Sequence, residues 1–197
     1  GYFNPFVPTM VAHYEEGKQL GYLIKDADDK VYIFQDPAFR DATMIDLTNP
    51  QALDWLRGYQ TRAAADLGID GWMADFAEWL PVDAKLSSGQ SGWAFHNRYP
   101  LAWQQANRRA LSEAHAGTSA PNNWTFFARS GWASTQGGSA GTTPLMWGGD
   151  QNTDWGYDDG FATIVPIGAH LGMAGVAIFG SDIAGYNSLM TSNTDKE

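Results

Sequence analysis

Four polar residues stand at equivalent places along this sequence, each closing an apolar run. Asp75 follows Ile69-Asp70-Gly71-Trp72-Met73-Ala74, and Arg129 follows Trp124-Thr125-Phe126-Phe127-Ala128. Asp150 follows Leu145-Met146-Trp147-Gly148-Gly149, and Asp182 follows Val176-Ala177-Ile178-Phe179-Gly180-Ser181. Two aspartates with a cation between them suit displacement chemistry in which one carboxylate attacks and the other delivers a proton. Such chemistry needs the two to be unequal. The nucleophile must stay ionised, which a neighbouring cation such as Arg129 favours. The acid must hold its proton near neutral pH, which an apolar or aromatic wall promotes. Asp150 follows Trp147 and two glycines that let a substrate approach the backbone closely, so Asp75 is assigned as nucleophile and Asp150 as general acid/base.

The elements that must position these residues alternate in type. Strand-like runs cover Tyr2 to Val7, Lys30 to Phe34, Ala42 to Leu47, Ile69 to Ala74, Trp124 to Arg129, Leu145 to Gly149 and Gly175 to Phe179. Helical patterns cover Gln51 to Asp66, Leu101 to His115 and, despite Pro166, Ala162 to Leu171. Alternation of this kind implies parallel pairing and an α/β fold, and runs apolar on both faces suit strands inside a ring of helices. In a barrel of parallel strands the carboxyl-terminal strand ends form the active-site floor. Strands about 4.8 Å apart put the Asp75 and Asp150 backbones roughly 9–10 Å from each other across the Arg129 strand. Inward side chains then close to roughly 5–6 Å, near the separation of retaining glycosidases. Trp72, Trp79, Trp132, Trp147 and Trp155 offer flat apolar faces for sugar rings.

Composition removes other classes. The 197 residues hold 12 basic and 22 acidic side chains, a formal charge of −10 with no basic cluster, which excludes nucleic acid and anionic membranes as partners. With no cysteine, disulfide scaffolds and thiolate chemistry are excluded. The longest mostly apolar stretch, Gly168 to Gly180, is too short to span a bilayer. The four histidines, at 13, 96, 115 and 170, lack paired metal-ligand spacing, so neither a metal nor another cofactor is expected. The chain opens mid-strand, without a basic leader segment, and ends without a stop signal. It therefore reads as one incomplete domain over 1–197, with the cytoplasm favoured over secretion. Oligomeric state is not legible.

The segment Asp70-Gly71-Trp72-Met73-Ala74-Asp75-Phe76-Ala77-Glu78 resembles the nucleophile segment of glycoside hydrolase family 31, and Trp147-Gly148-Gly149-Asp150-Gln151 resembles that family's acid/base segment. Ala128-Arg129-Ser130 is similar to its substrate-binding arginine, His96-Asn97-Arg98-Tyr99 fits the family, and Gly180-Ser181-Asp182-Ile183-Ala184-Gly185-Tyr186 is similar to a later signature. The resemblance implies a (β/α)₈ barrel, of which this chain holds about strands three to seven, with flanking β domains absent. It also implies retaining hydrolysis of terminal α-linked sugars, α-glucosidase in type, through a glycosyl-aspartate. Met73 and Phe76-Ala77-Glu78 depart from the commoner pattern, and the Met-Ala-Asp-Phe form with Tyr186 looks more like the sulfoquinovosidase branch. Arg129, Trp147, Asp182, Tyr186 and Trp72 are then candidate substrate contacts, and Glu78 orients its neighbours. Plainer roles stay open: Arg129 as an ion-pair partner of Glu78 or Asp182, Asp182 as a strand-end anchor, Tyr186 as packing. A non-catalytic carbohydrate-binding domain is the alternative function.

Overall fold

The computed structural model describes residues 1–35, 39–135 and 137–187. In chain order its elements are β1 (Tyr2–Phe3), β2 (Phe6–Pro8), α1 (Ala12–Leu20), β3 (Ala42–Met44), α2 (Pro50–Leu67) and β4 (Gly71–Ala74). There follow α3 (Gly92–Phe95), α4 (Tyr99–His115), β5 (Thr125–Ala128), α5 (Gly138–Thr142), β6 (Leu145–Trp147), α6 (Ile164–Met173) and β7 (Phe179–Gly180). One sheet takes the order β1-β4-β5-β6-β7, every pairing parallel. This is the expected α/β architecture, an arc of a barrel with helices on its outer face.

The helices form where local chemistry allows. Asn49 caps α2 by accepting the Gln51 and Ala52 N–H groups, Pro50 opens it, and Gly68 ends it in the left-handed region at φ +62°. Its buried face, Ala52, Leu56, Gln60 and Ala64, repeats every four residues and lies against α4. From α4, Tyr99, Trp103, Ala110 and Leu111 are fully buried beneath the sheet. Pro166 falls in the first turn of α6, where a missing N–H is tolerated.

The run from Tyr2 to Val7 is not one strand. Only Tyr2 and Phe3 pair with β4, because Pro5 has no N–H to continue a ladder. The Asn4 side chain accepts the Phe6 N–H at 3.0 Å, and the chain leaves for a second sheet in which β2 and β3 pair antiparallel. Lys30 to Phe34 forms no strand of either sheet. The Asp26 carboxylate instead accepts the N–H groups of Asp28 and Lys30, a tight turn that leaves a single bridge between Lys25 and Val31. Helix α1 had no sequence signal beyond Gly21, which ends it at φ +70°.

Candidate active site

Strand parity decides which side chains face the barrel interior. Trp72, Ala74, Phe126 and Ala128 lie on the helix side and are buried there. Met73, Phe127 and Trp147 take the opposite face, followed one step later by Asp75 and Arg129. Arg129 thus stands between the strands carrying Asp75 and Asp150 and reaches both. Its Nε lies 3.5 Å from Asp75 Oδ1 and its Nη1 3.3 Å from Asp150 Oδ2. Two carboxylates that share one planar guanidinium lie within about 9 Å of each other, inside the range over which a carboxylate pair can act on one bond.

The environments of the two aspartates differ. Asp75 is buried; the Phe76 N–H donates to Oδ1 at 2.8 Å and the Tyr2 hydroxyl to Oδ2 at 2.7 Å, and the Arg129 guanidinium lies 3.5 Å from Oδ1 as an ion pair. That is the complement of an ionised carboxylate. Asp150 is raised above the ordinary carboxylate value. Desolvation is the main cause, Arg129 opposes it, and the charges of Asp75 and Asp182 add to it. Burial also works against the charge on Arg129, but Glu78, Asp75 and Asp150 more than offset this and the net effect is upward.

Glu78 is the principal partner of Arg129. Its Oε1 accepts from Nε at 2.9 Å and from Nη2 at 2.6 Å. It reaches this position through a reversal in which Phe76 and Ala77 both adopt positive φ, 58° and 87°, although neither is glycine. The Ser130 hydroxyl donates to the Phe76 carbonyl at 2.5 Å, and the Phe76 ring centroid lies 4.0 Å from the Arg129 guanidinium carbon. A cavity of about 380 Å³ opens beside these groups, lined by Glu78, His96, Arg129, Gly149, Asp150 and Asp159 among others. His96 Nδ1 is tied to the Leu80 carbonyl at 2.6 Å. Gly149 sits at φ +86° with nothing crowding its α-carbon, so its need for glycine is conformational. Gly148 faces Ile164, where a β-carbon would come within 2.8 Å.

The other candidates are placed variously. Trp147 stands in the barrel interior, edge-on to Phe127 at 6.3 Å and only 8% exposed. Asp182 lies close enough to Asp150 to raise it, and its Oδ2 is buried without a partner among the described residues. Tyr186 is 65% exposed, with its backbone N–H donated to the Gln151 carbonyl. Trp72 corrects the sequence expectation. It is 3% exposed, and its indole N–H donates to Asn107 of α4 at 2.6 Å, on the side of the sheet away from the carboxylates. The reason is parity: three residues before Asp75 is the opposite face of the strand. The sequence reading also missed Tyr2 and Asn4. Asn4 follows the end of its strand as Asp75 does, and Tyr2, in register with Met73, faces the same side as Asp75; a strand running on to Val7 hides both. Among the described residues no group of three or more His, Asp or Glu is placed to hold a metal ion, and no helix is long and apolar enough to cross a membrane.

A parallel barrel arc with two carboxylates and one arginine converging at its strand ends is the frame of a barrel glycosidase. Residues 2–197 match the model of the glycosyl hydrolases family 31 TIM-barrel domain, and the chain belongs to that family. It is 40% identical to a sulfoquinovosidase of Escherichia coli over 100% of this chain and 28% of that protein. It is 32% identical to an alpha-xylosidase of Emericella nidulans over 94% of this chain and 22% of that one. Among solved structures, a family 31 sulfoquinovosidase from E. rectale, in complex with an aza-sugar inhibitor, superposes with a TM-score of 0.86 at 36% identity, covering 98% of this chain and 28% of that one. The chain therefore spans roughly a quarter of the length of these relatives.

Proposed function

We propose that the protein containing this chain is a retaining α-glycoside hydrolase acting on terminal, non-reducing α-linked sugars. The observation that carries this is Arg129 held between two carboxylates of unequal surroundings, Asp75 among donors and Asp150 raised by burial and like charge. Asp75 attacks the anomeric carbon while the bond to the aglycone breaks. The electron pair leaves on the aglycone oxygen, which takes the Asp150 proton. Water then gives its proton to Asp150 and attacks the same carbon, and the pair from the ester bond returns to Asp75. Glu78 Oε2, Gln151 Oε1 and Asp182 Oδ2, buried acceptors with no partner among the described residues, suit sugar hydroxyls. Trp147, in the barrel interior, is the aromatic face available to a sugar ring.

Of two specificities within this class, cleavage of sulfoquinovosides is favoured over that of plain α-glucosides by the kinship to sulfoquinovosidases along the whole chain. Tyr186, exposed at the rim, is then the residue here available to a 6-sulfonate. In the full-length protein, Asp75→Asn and Asp150→Asn should each lower turnover of the wild type's better substrate, 4-nitrophenyl α-sulfoquinovoside or α-glucoside, by about 10²–10⁴-fold. Near wild-type rates in both variants would refute the assignment. A wild-type preference for the glucoside would reverse the choice of sugar.

A further inference from the structure

We propose that Tyr2 is a catalytic residue that serves ester breakdown, its hydroxyl stabilising the Asp75 oxygen that leaves the sugar carbon. This rests on the assignment of Asp75 as nucleophile. The geometry separates the two oxygens of that carboxylate. Oδ1 is engaged by the Phe76 N–H at 2.8 Å and faces Arg129 Nε at 3.5 Å. Oδ2 accepts one bond, from the Tyr2 hydroxyl at 2.7 Å. A carboxylate oxygen has two lone-pair sites, so Oδ2 keeps one free, and we take Oδ2, the oxygen that does not face the guanidinium, as the one that attacks.

A short chain of oriented groups fixes the hydroxyl. The Phe6 N–H donates to Asn4 Oδ1 at 3.0 Å, which sets the Asn4 amide. Asn4 Nδ2 then donates to the Tyr2 oxygen at 3.4 Å, leaving the phenolic proton directed at Asp75. Burial pushes the Tyr2 phenol up to about 12; the Asn4 bond opposes this and Asp75 reinforces it, so the group remains a donor throughout the working pH range. The break in the strand at Pro5 gives Asn4 this position, since a strand continued to Val7 would have no turn for its side chain to close.

The consequence is asymmetric between the two steps. When Oδ2 bonds to the anomeric carbon it loses charge and becomes a poorer acceptor, so the Tyr2 bond weakens in the ester. When water displaces it, the electron pair of the C–O bond returns to Oδ2 and the bond re-forms. Tyr2 therefore assists departure of the carboxylate more than its attack. Removing a hydrogen bond to a charged group, about half re-formed at the transition state, slows ester breakdown by about 3- to 15-fold. Formation of the ester is unchanged or faster.

The test is Tyr2→Phe in the full-length protein, with whichever of 4-nitrophenyl α-sulfoquinovoside and 4-nitrophenyl α-glucoside the wild type cleaves faster. The expected result is that kcat and KM fall together by about 3- to 15-fold while kcat/KM holds or rises. A burst of nitrophenolate should approach one per active site, and the glycosyl-enzyme should be detectable by intact mass. Wild-type kcat and KM, or a fall in kcat/KM with no accumulated ester, overturns the proposal. If Tyr2→Phe does not fold, Asn4→Ala, which removes the donor that fixes the hydroxyl together with the acceptor of the Phe6 N–H, gives the same split at roughly 2- to 4-fold or the proposal fails. Asp75→Asn separates the two levels. An inactive Asp75→Asn without the Tyr2 split sinks the role of Tyr2 alone, whereas an active one sinks the nucleophile assignment beneath it.

Discussion

Replacing Glu78 by glutamine tests whether the arginine between the two carboxylates proposed as catalytic must be held by charge. Glu78 Oε1 accepts from both Nε and Nη2 of Arg129, at 2.9 and 2.6 Å, while the same guanidinium faces Asp75 and Asp150 at 3.5 and 3.3 Å. Glutamine keeps an acceptor of the same shape and removes the charge. Hydrogen bonds to charged groups contribute about 1.5–3 kcal/mol and neutral ones about 0.5–1.5. Two bonds converging on one oxygen are not additive, and Glu78 is 37% exposed, so solvent screens part of the difference. The remaining loss is about 1–2 kcal/mol, a fall of about 5- to 30-fold in kcat/KM. A second readout separates this from simple destabilisation. With Glu78 neutral, the positive charge of Arg129 acts on Asp150 with less opposition. A nearby cation favours the ionised carboxylate, so the basic limb of the kcat/KM profile moves to lower pH. A Glu78→Gln enzyme within twofold of wild type at every pH, with that limb in place, would refute the reasoning.

Three further outcomes are expected. Asp150→Asn, which also lacks the base of the second step, should still depend steeply on the aglycone, cleaving nitrophenyl glycosides far better than alkyl ones, because a good leaving group needs its proton least; equal losses on both would mean that Asp150 is not the acid. Trp72→Phe should lower stability by about 1–3 kcal/mol through the lost bond to Asn107, seen as a lower melting temperature with KM unchanged. The isolated 197-residue chain should bind anilinonaphthalene sulfonate and melt broadly, because Val165 and Met173 on α6 are both 78% exposed and no residue of that helix is buried. A sharp, cooperative transition would contradict this.

What the sequence disclosed followed from backbone periodicity. Asp75, Arg129 and Asp150 were legible because each ends a strand-like run, and parallel order then places Arg129 between the other two. The same periodicity misled where it was not carried through. Residue type alone makes Trp72 a pocket aromatic, although odd spacing from Asp75 assigns it to the helix side. Tyr2 and Asn4 were hidden by a strand drawn two elements long, its break marked only by Asn4-Pro5. Helix α1 carries a glycine at position 17 and no side-chain cap, so it has little local signal.

The role of Glu78 was expected only in outline, and the reason lies in the backbone. Non-glycine residues at positive φ are disfavoured by about 1–2 kcal/mol each, and Phe76 and Ala77 are consecutive. Nothing in their residue types announces such a reversal. It persists because its groups are satisfied: the Phe76 N–H by Asp75, its carbonyl by Ser130, its ring by Arg129 and by Phe6 and Phe39. Ala77 is fully buried, so a bulky side chain there would have to displace the core. Without the reversal, the chain after Asp75 would run on along the strand and carry Glu78 away from the guanidinium. Arg129 would then turn more fully to Asp150 and lower it. The strained turn thus keeps this cation engaged with Glu78, and the upward shift of Asp150 depends on that engagement.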